Sequence, residues 1–167
     1  MNSKLFLLGV FMLGVFLGVC LAMITLFTSE SVAEDIETYR CWVMCKPEDY
    51  VNIRKSPSKR SELTGYAVSG YCLETDWVEK NGYLHVLGVT EYGEGWVSEG
   101  YVVFTEPRVI DRKMTVVGGG RVAVRKGVDG KRIGWVRPGQ EILVYYMDSE
   151  WAITSRGFIR ADYLGDD

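Results

Sequence analysis

The chain has one histidine, His85, and only four prolines in 167 residues. It also lacks a nucleophile elbow, an H-E-x-x-H pair, a P-loop and a dinucleotide-binding glycine fingerprint, so no familiar catalytic signature is present. His85 lies in "YLHVL", on the strand face opposite Leu84 and Val86, and no carboxylate or nucleophile stands close to it in sequence. A general base at that position is without an evident partner. Cysteine is sparse as well: Cys20 sits in an apolar run, which leaves Cys41, Cys45 and Cys72. Cys41 and Cys45 fall four apart on one expected strand, about 13 Å between same-face positions at about 3.3 Å per residue. A zinc ion needs thiolates at about 2.3 Å, so no metal site is expected. The expectation from these absences is a chain with no enzyme activity, no metal and no cofactor. The net charge of −3 argues against a nucleic-acid partner.

What is present is apolar and aromatic. Five Trp, ten Tyr, six Phe and 19 Gly point to small β modules with tight turns. Residues 5–27 carry no charge over 23 positions, about 34 Å as a helix against a bilayer core of about 30 Å. Lys4 precedes this run, and Glu30, Glu34, Asp35 and Glu37 follow it. Charge asymmetry then places the N-terminus inside and the remainder outside the membrane. Two readings stay open. The run is an uncleaved signal anchor, giving a single-pass cell-membrane protein, or "SVA" marks cleavage after Ala33 and a secreted product. Small buried hydrophobes are the default reading of these cysteines; an oxidising compartment leaves open a disulfide between Cys72 and either Cys41 or Cys45, with the odd thiol free or paired between molecules.

The rest of the chain is one unit written twice. "CWVMCKPEDYVNIRK" (residues 41–55) aligns without a gap to "RKMTVVGGGRVAVRK" (112–126), both ending V-x-[IV]-R-K. "ELTGYAVSG" matches "KRIGWVRPG", "YLHV" matches "WAIT", and "EGWVSEGYV" matches "RGFIRADYL". The organisation expected is a hydrophobic helix at 5–27, a linker at 28–38, one module at 39–103, a linker at 104–109 and a second module at 110–165. Turns are expected at Asn81-Gly82, Gly93, Asp129-Gly130 and Pro138-Gly139, with a 3₁₀ turn at "SEGY" and "RADY". The expected cores are Val43, Val51, Ile53, Leu73, Leu84, Val86, Trp96 and Val97 in the first copy. In the second they are Val116, Val122, Val124, Ile142, Val144, Ile153, Phe158 and Ile159.

These residues resemble the bacterial Src-homology-3-type (SH3b) domains. That pattern is a strand ending V/L-N-[VI]-R, a polar loop, a hydrophobic-G strand and a closing G-W-[VI]-x-x-x-Y-[LV]. Copy one carries "VNIRKSPSKRSELTG", "NGYLHV" and "EGWVSEGYV". Copy two carries "VAVRKGVDGKRIG", "SEWAIT" and "RGFIRADYL"; it lacks the Asn after Val122 and has Phe158 for the usual Trp. The resemblance covers nearly all of the chain after residue 38. It implies a mostly β chain of two small SH3-like barrels in tandem, each of five or six antiparallel strands. It also implies non-enzymatic binding of peptidoglycan or another envelope ligand; the alternative is a membrane-tethered protein-interaction or assembly accessory.

Aromatics exceed what two cores of about 60 residues hold, so some face solvent, and the loops after the V-x-[IV]-R-K strands differ between copies. The candidate ligand-binding residues are therefore Arg54, Lys59, Arg60, Tyr66 and Tyr92 in copy one, and Arg125, Lys131, Trp135 and Trp151 in copy two. Arg54 and Arg125 occupy matching positions and are expected to bond loop carbonyls. Charge divides unevenly: residues 34–107 hold 13 acidic and 7 basic residues, a net of −6, and residues 108–167 hold 8 and 11, a net of +3. A basic second module suits anionic wall polymers or lipid headgroups, or complements the first module across an interface.

Overall fold

The computed structural model describes residues 37–88 and 93–165. The expected helix at 5–27 lies outside the described residues; among those described, no helix is long and apolar enough to cross a membrane. The region Ile36–Asp167 is one compact unit.

The described chain is built of short antiparallel strands. Copy one runs β1 (Tyr39–Val43), β2 (Val51–Arg54), β3 (Leu63–Ala67), β4 (Cys72–Thr75), β5 (Glu79–Lys80), β6 (Tyr83–Val86) and β7 (Gly95–Ser98). A 3₁₀ turn (Glu99–Tyr101) then leads to β8 (Val102–Val103). Copy two runs β9 (Arg108–Val116), β10 (Val122–Arg125), β11 (Arg132–Val136), β12 (Glu141–Met147), β13 (Trp151–Thr154) and β14 (Gly157–Arg160). It too ends on a 3₁₀ turn (Ala161–Tyr163) and a last strand, β15 (Leu164–Gly165). Copy one forms a sheet of order β4-β1-β8 and another of order β3-β2-β7-β6-β5; copy two forms a single sheet, β11-β10-β14-β13-β12-β9-β15.

The pairings coincide. β1 with β4 and β8 repeats as β9 with β12 and β15, and β2 with β3 and β7 repeats as β10 with β11 and β14. The registers Arg54↔Trp96 and Arg125↔Phe158, then His85↔Trp96 and Ile153↔Phe158, are equivalent. Copy two keeps β12 whole, with a register shift between Val144 and Tyr146. At the corresponding place copy one breaks into β4 and β5, through Trp77 at φ 61°. The Thr75 hydroxyl accepts the Trp77 N–H at 3.0 Å, and the Asp76 carboxylate accepts the Val78 N–H at 3.1 Å. These local bonds satisfy the backbone groups that the ladder releases.

One alignment expectation is corrected. Cys41 pairs with Leu73 as Met114 pairs with Ile142, and the Met44 N–H reaches the Tyr101 carbonyl as the Val117 N–H reaches that of Tyr163. Cys41 thus corresponds to Met114, not Arg112, and the connection from the first strand to the second is two residues longer in copy one. The gapless match holds only over the V-x-[IV]-R-K strand and the residues just before it. β9 also begins at Arg108, inside the expected linker.

The shared glycine of "EGW" and "RGF" has a steric cause. A Cβ on Gly95 would meet Ile53 Cγ2 at 2.6 Å, and one on Gly157, at φ 134°, would meet the Arg125 carbonyl at 2.6 Å. The second strand crosses the closing strand too closely for any side chain.

Each copy encloses its own core. Cys41, Val43, Cys45, Val51, Ile53, Ala67, Leu73, Leu84, Val86, Val97 and Val102 fill the first. Met114, Val116, Val122, Val124, Val136, Ile142, Val144, Ala152 and Ile159 fill the second. A third cluster joins the copies: Met44 and Val103 from copy one, Trp151, Ile153 and Phe158 from copy two. Trp151, Ile153 and Phe158 occupy the same outer sheet face on which copy one carries Tyr83, His85 and Trp96. That face carries a histidine between two aromatics in copy one; in copy two it is wholly apolar, and it is covered. Phe158 is 1 % exposed and its ring meets Tyr101 edge-on, 6.0 Å between centroids. Trp96, expected in the core, is half-buried on the outer face, because alternation with buried Val97 turns it away from the interior.

Candidate functional site

The junction that this third cluster holds closed leaves a groove of about 510 Å³ beside it. One wall is β2 with its flanks, which present Tyr50, Asn52, Arg54 and Lys59. The floor is Tyr83 and the closing turn of copy one, with Gly100 and Tyr101. The other wall belongs to copy two: Lys126, Gly127, Gly130 and Lys131. The Val128 N–H donates to the Gly100 carbonyl at 2.8 Å, fixing this loop. Gly127 packs directly on Gly100, where a Cβ would collide with the Gly100 carbonyl oxygen. The Lys46 ammonium donates to the Ser155 carbonyl at 3.3 Å and the Ser149 hydroxyl to the Thr105 hydroxyl at 3.2 Å, two further ties across the junction.

Three expected site residues meet in this groove: Arg54, Lys59 and Lys131. Arg54 Nη1 donates to the Ser61 carbonyl at 2.8 Å, and Arg125 Nη1 to the Gly130 carbonyl at 2.9 Å. Both arginines therefore hold the loop that follows their strand while standing at the rim of a cavity. Tyr66, 70 % exposed, lines a shallow neighbouring cavity of about 410 Å³ with Tyr50, the two rings 5.8 Å apart. Arg125 and Trp135 line a third cavity, of about 450 Å³, with Arg121, Arg160 and Tyr163. The Arg121 and Arg132 guanidinium carbons lie 5.5 and 4.4 Å from the centre of the Trp135 ring. In the repeat, Arg121, Arg125, Trp135 and Tyr163 correspond to Tyr50, Arg54, Tyr66 and Tyr101, so both copies open a cavity on the same face.

The remaining expected residues stand elsewhere. Arg60 is exposed, outside these cavities, its N–H donating to the Ser58 hydroxyl at 3.2 Å. Trp151 is 3 % exposed, which corrects its reading as a ligand contact: its outer face is the junction itself, with the Arg160 guanidinium 5.1 Å from the ring centre. Tyr92 lies outside the described residues. Lys126 lines the groove but was missed, because the R-K pair it belongs to reads as a fold signature rather than a site.

The three described thiols are free, so the disulfide left open from Cys72 to Cys41 or Cys45 is not formed. Cys72 pairs with Trp42 and Cys41 with Leu73, so the two sulfurs face opposite sides of the sheet, Cys41 inward and Cys72 to solvent. Cys45 lies past the end of β1, buried in the core. Burial, with a lesser contribution from Cys72, pushes the Cys41 thiol up to about 12. Burial pushes Cys45 up to about 11 against a backbone hydrogen bond from Ser69 that lowers it, while Asp49 and Glu48 add to the rise.

His85 does have a carboxylate partner. Its Nδ1–H donates to Asp76 Oδ2 at 2.9 Å, Nε2 lies 3.7 Å from Glu94 Oε2, and the ring lies tilted against that of Trp96, 4.8 Å between centroids. Asp76 is nine residues upstream and reaches His85 only because β4 and β5 separate at Trp77. Burial opposes ionisation of Asp76, but the hydrogen bonds from His85 and Val78 and the charge of His85 together hold its carboxyl below the ordinary range. Both imidazole nitrogens face carboxylates. Among the described residues, no group of three or more His, Cys, Asp or Glu is placed to hold a metal ion.

No family model and no curated protein matches the chain. Among solved structures it is similar to NlpC1 from Trichomonas vaginalis, at 15 % identity and a TM-score of 0.36, over 81 % of this chain and 48 % of that one. It is also similar to NlpC2 from Trichomonas vaginalis, at 14 % identity and a TM-score of 0.35, over 79 % and 49 %. The chain spans about half the length of these two structures, and at these values neither likeness assigns a family.

Proposed function

We propose that this chain is a non-enzymatic binding protein of the cell envelope. In this reading its two copies are Src-homology-3-type barrels, carried outside the membrane by residues 5–27, and they bind peptidoglycan or another envelope ligand. The observation that carries the reading is that equivalent residues line cavities in both copies, Tyr50, Arg54, Tyr66 and Tyr101 in the first and Arg121, Arg125, Trp135 and Tyr163 in the second, on two copies locked together by a buried cluster. Two weak sites at a fixed separation multiply apparent affinity by about 10²–10⁴ when both engage one polymer. The repeated pairing scheme and the 3₁₀ turn before each last strand support the barrel assignment.

The test is co-sedimentation of the full-length chain, in mild detergent, with purified peptidoglycan. Retention is expected at low salt, and it should weaken when Tyr66 and Trp135 are both replaced by Ala. A chain that stays wholly in the supernatant counts against wall binding. It would favour the second reading, a membrane-tethered assembly accessory. That alternative has its own observation: the Trp77 ring lies between those of Phe104 and Tyr39, tilted against both at 4.1 and 5.6 Å between centroids, and all three are exposed.

A further inference from the structure

Four cations of this protein come together in the junction groove. Away from the groove, Lys55, Lys113 and Arg160 each pair with a carboxylate: Glu62 at 3.7 Å, Glu141 at 3.1 Å and Glu150 at 3.0 Å. In the junction groove, among the described residues, the ammonium groups of Lys59, Lys126 and Lys131 pair with no carboxylate. Arg54 joins them, and no Asp or Glu lines the groove. Copy one as a whole is acidic, so this concentration of positive charge is local and is made by bringing the two loops together.

Like charges gathered around one concave surface raise its potential and repel one another, and an anion relieves both effects. A monovalent anion would leave most of the charge uncompensated, so the matching ligand carries several negative groups. The groove is lined by residues of both copies, which suits a chain lying across the two. Three of the four cations are lysines, point charges with freely rotating donors that suit tetrahedral phosphate. The one guanidinium spends one N–H on the Ser61 carbonyl, so most of the positive charge that faces the groove comes from ammonium groups rather than from a planar fork. Tyr50, Asn52 and Tyr101 add neutral hydrogen-bonding groups along the same wall and floor.

We propose that the junction groove is a composite site for a polyvalent, phosphodiester-bearing chain, held by Arg54 and Lys59 from copy one and by Lys126 and Lys131 from copy two. Neither copy alone supplies all four charges. The proposal takes the source of the ligand, an envelope polymer, from the preceding reading; its chemistry comes from the groove.

The experiment is fluorescence anisotropy of a labelled, delipidated glycerol-phosphate polymer titrated with the full-length chain in neutral detergent, at about 50 and about 200 mM salt. The polymer should bind, and affinity should fall at least about tenfold over that salt range. The K126Q/K131Q variant, altered only at exposed side chains, should lose a further factor of about ten or more. Its log–log salt slope should flatten by about two. K113Q, a paired lysine outside the groove, should bind within about twofold of the parent. Equal affinity for poly-γ-glutamate overturns the phosphate assignment, and unchanged binding by K126Q/K131Q overturns the site. Retention on phosphate-free peptidoglycan with no affinity for the polymer sinks this proposal while leaving wall binding intact. Polymer affinity without such retention supports it and sinks only the peptidoglycan reading.

Discussion

Replacing Phe158 by alanine tests whether the two copies are one cooperative body. The side chain is 1 % exposed, sits in the cluster with Met44, Val103, Trp151 and Ile153, and contacts Tyr101 edge-on. Burying such a ring contributes about 1.5–3 kcal/mol by transfer alone. The cavity left between two packed sheets adds to that, so Phe158→Ala is expected to cost about 3–5 kcal/mol. The equivalent position in copy one, Trp96, is half-buried on an outer face that no second module covers, and Trp96→Ala should cost clearly less. The assay is urea unfolding of a fragment beginning at Ile36, followed by tryptophan fluorescence and, in parallel, by circular dichroism. With an m-value of about 2 kcal/mol per molar, a loss of 4 kcal/mol moves the midpoint by about 2 M. The parent should unfold in one transition. In Phe158→Ala the two probes should separate, because each copy then stands on its own small core. A midpoint shift no larger than that of Trp96→Ala, with the probes still coincident, would refute the claim that the junction cluster couples the copies.

Two further outcomes follow from side-chain environments. Iodoacetamide at pH 8 should alkylate one of the three thiols in the native fragment, Cys72, because Cys41 and Cys45 are buried with thiols held at about 12 and about 11. All three should react in urea, and two labels on the native protein would contradict the inward placement of Cys41 and Cys45. The Asp76 carboxyl is held low in the folded state, so its contribution is complete above the unfolded value of about 3.9 and is lost as pH falls below it. Asp76→Asn should therefore lower the melting temperature at pH 6 and narrow its difference from the parent by pH 3; a constant difference would show that Asp76 is not the titrating group.

How far the residues alone carried the fold depends on what each pattern encodes. Period-two alternation fixes which residues share a face, and fifteen of the sixteen expected core residues are buried. Trp96 and Val97 were both expected in the core, yet neighbours on a strand face opposite sides; Val97 is the one that points inward. Alternation does not show that one outer face is covered by a neighbour. Ile153 and Phe158 are buried as expected, yet they pack in the junction rather than in the core of copy two. The disulfide reading failed for the same geometric reason, since one step of register puts Cys72 on the opposite side of the sheet from Cys41.

The site was legible only in part. Arg54, Lys59 and Lys131 stood out as basic residues in and beside variable loops. Nothing in sequence spacing brings residue 59 near residue 131, or reveals Lys126 as a wall of copy one's groove. Asp76 and His85, nine apart, meet only through the break at Trp77.

By itself the sequence determined the duplication, the strand character and the glycines of the closing strands, because these are local or repeating constraints written into neighbouring residues. The packing of one copy on the other, and with it the groove whose four cations come from both, was decided only in three dimensions. An apolar side chain records that it will leave water, but not which surface it will leave water for.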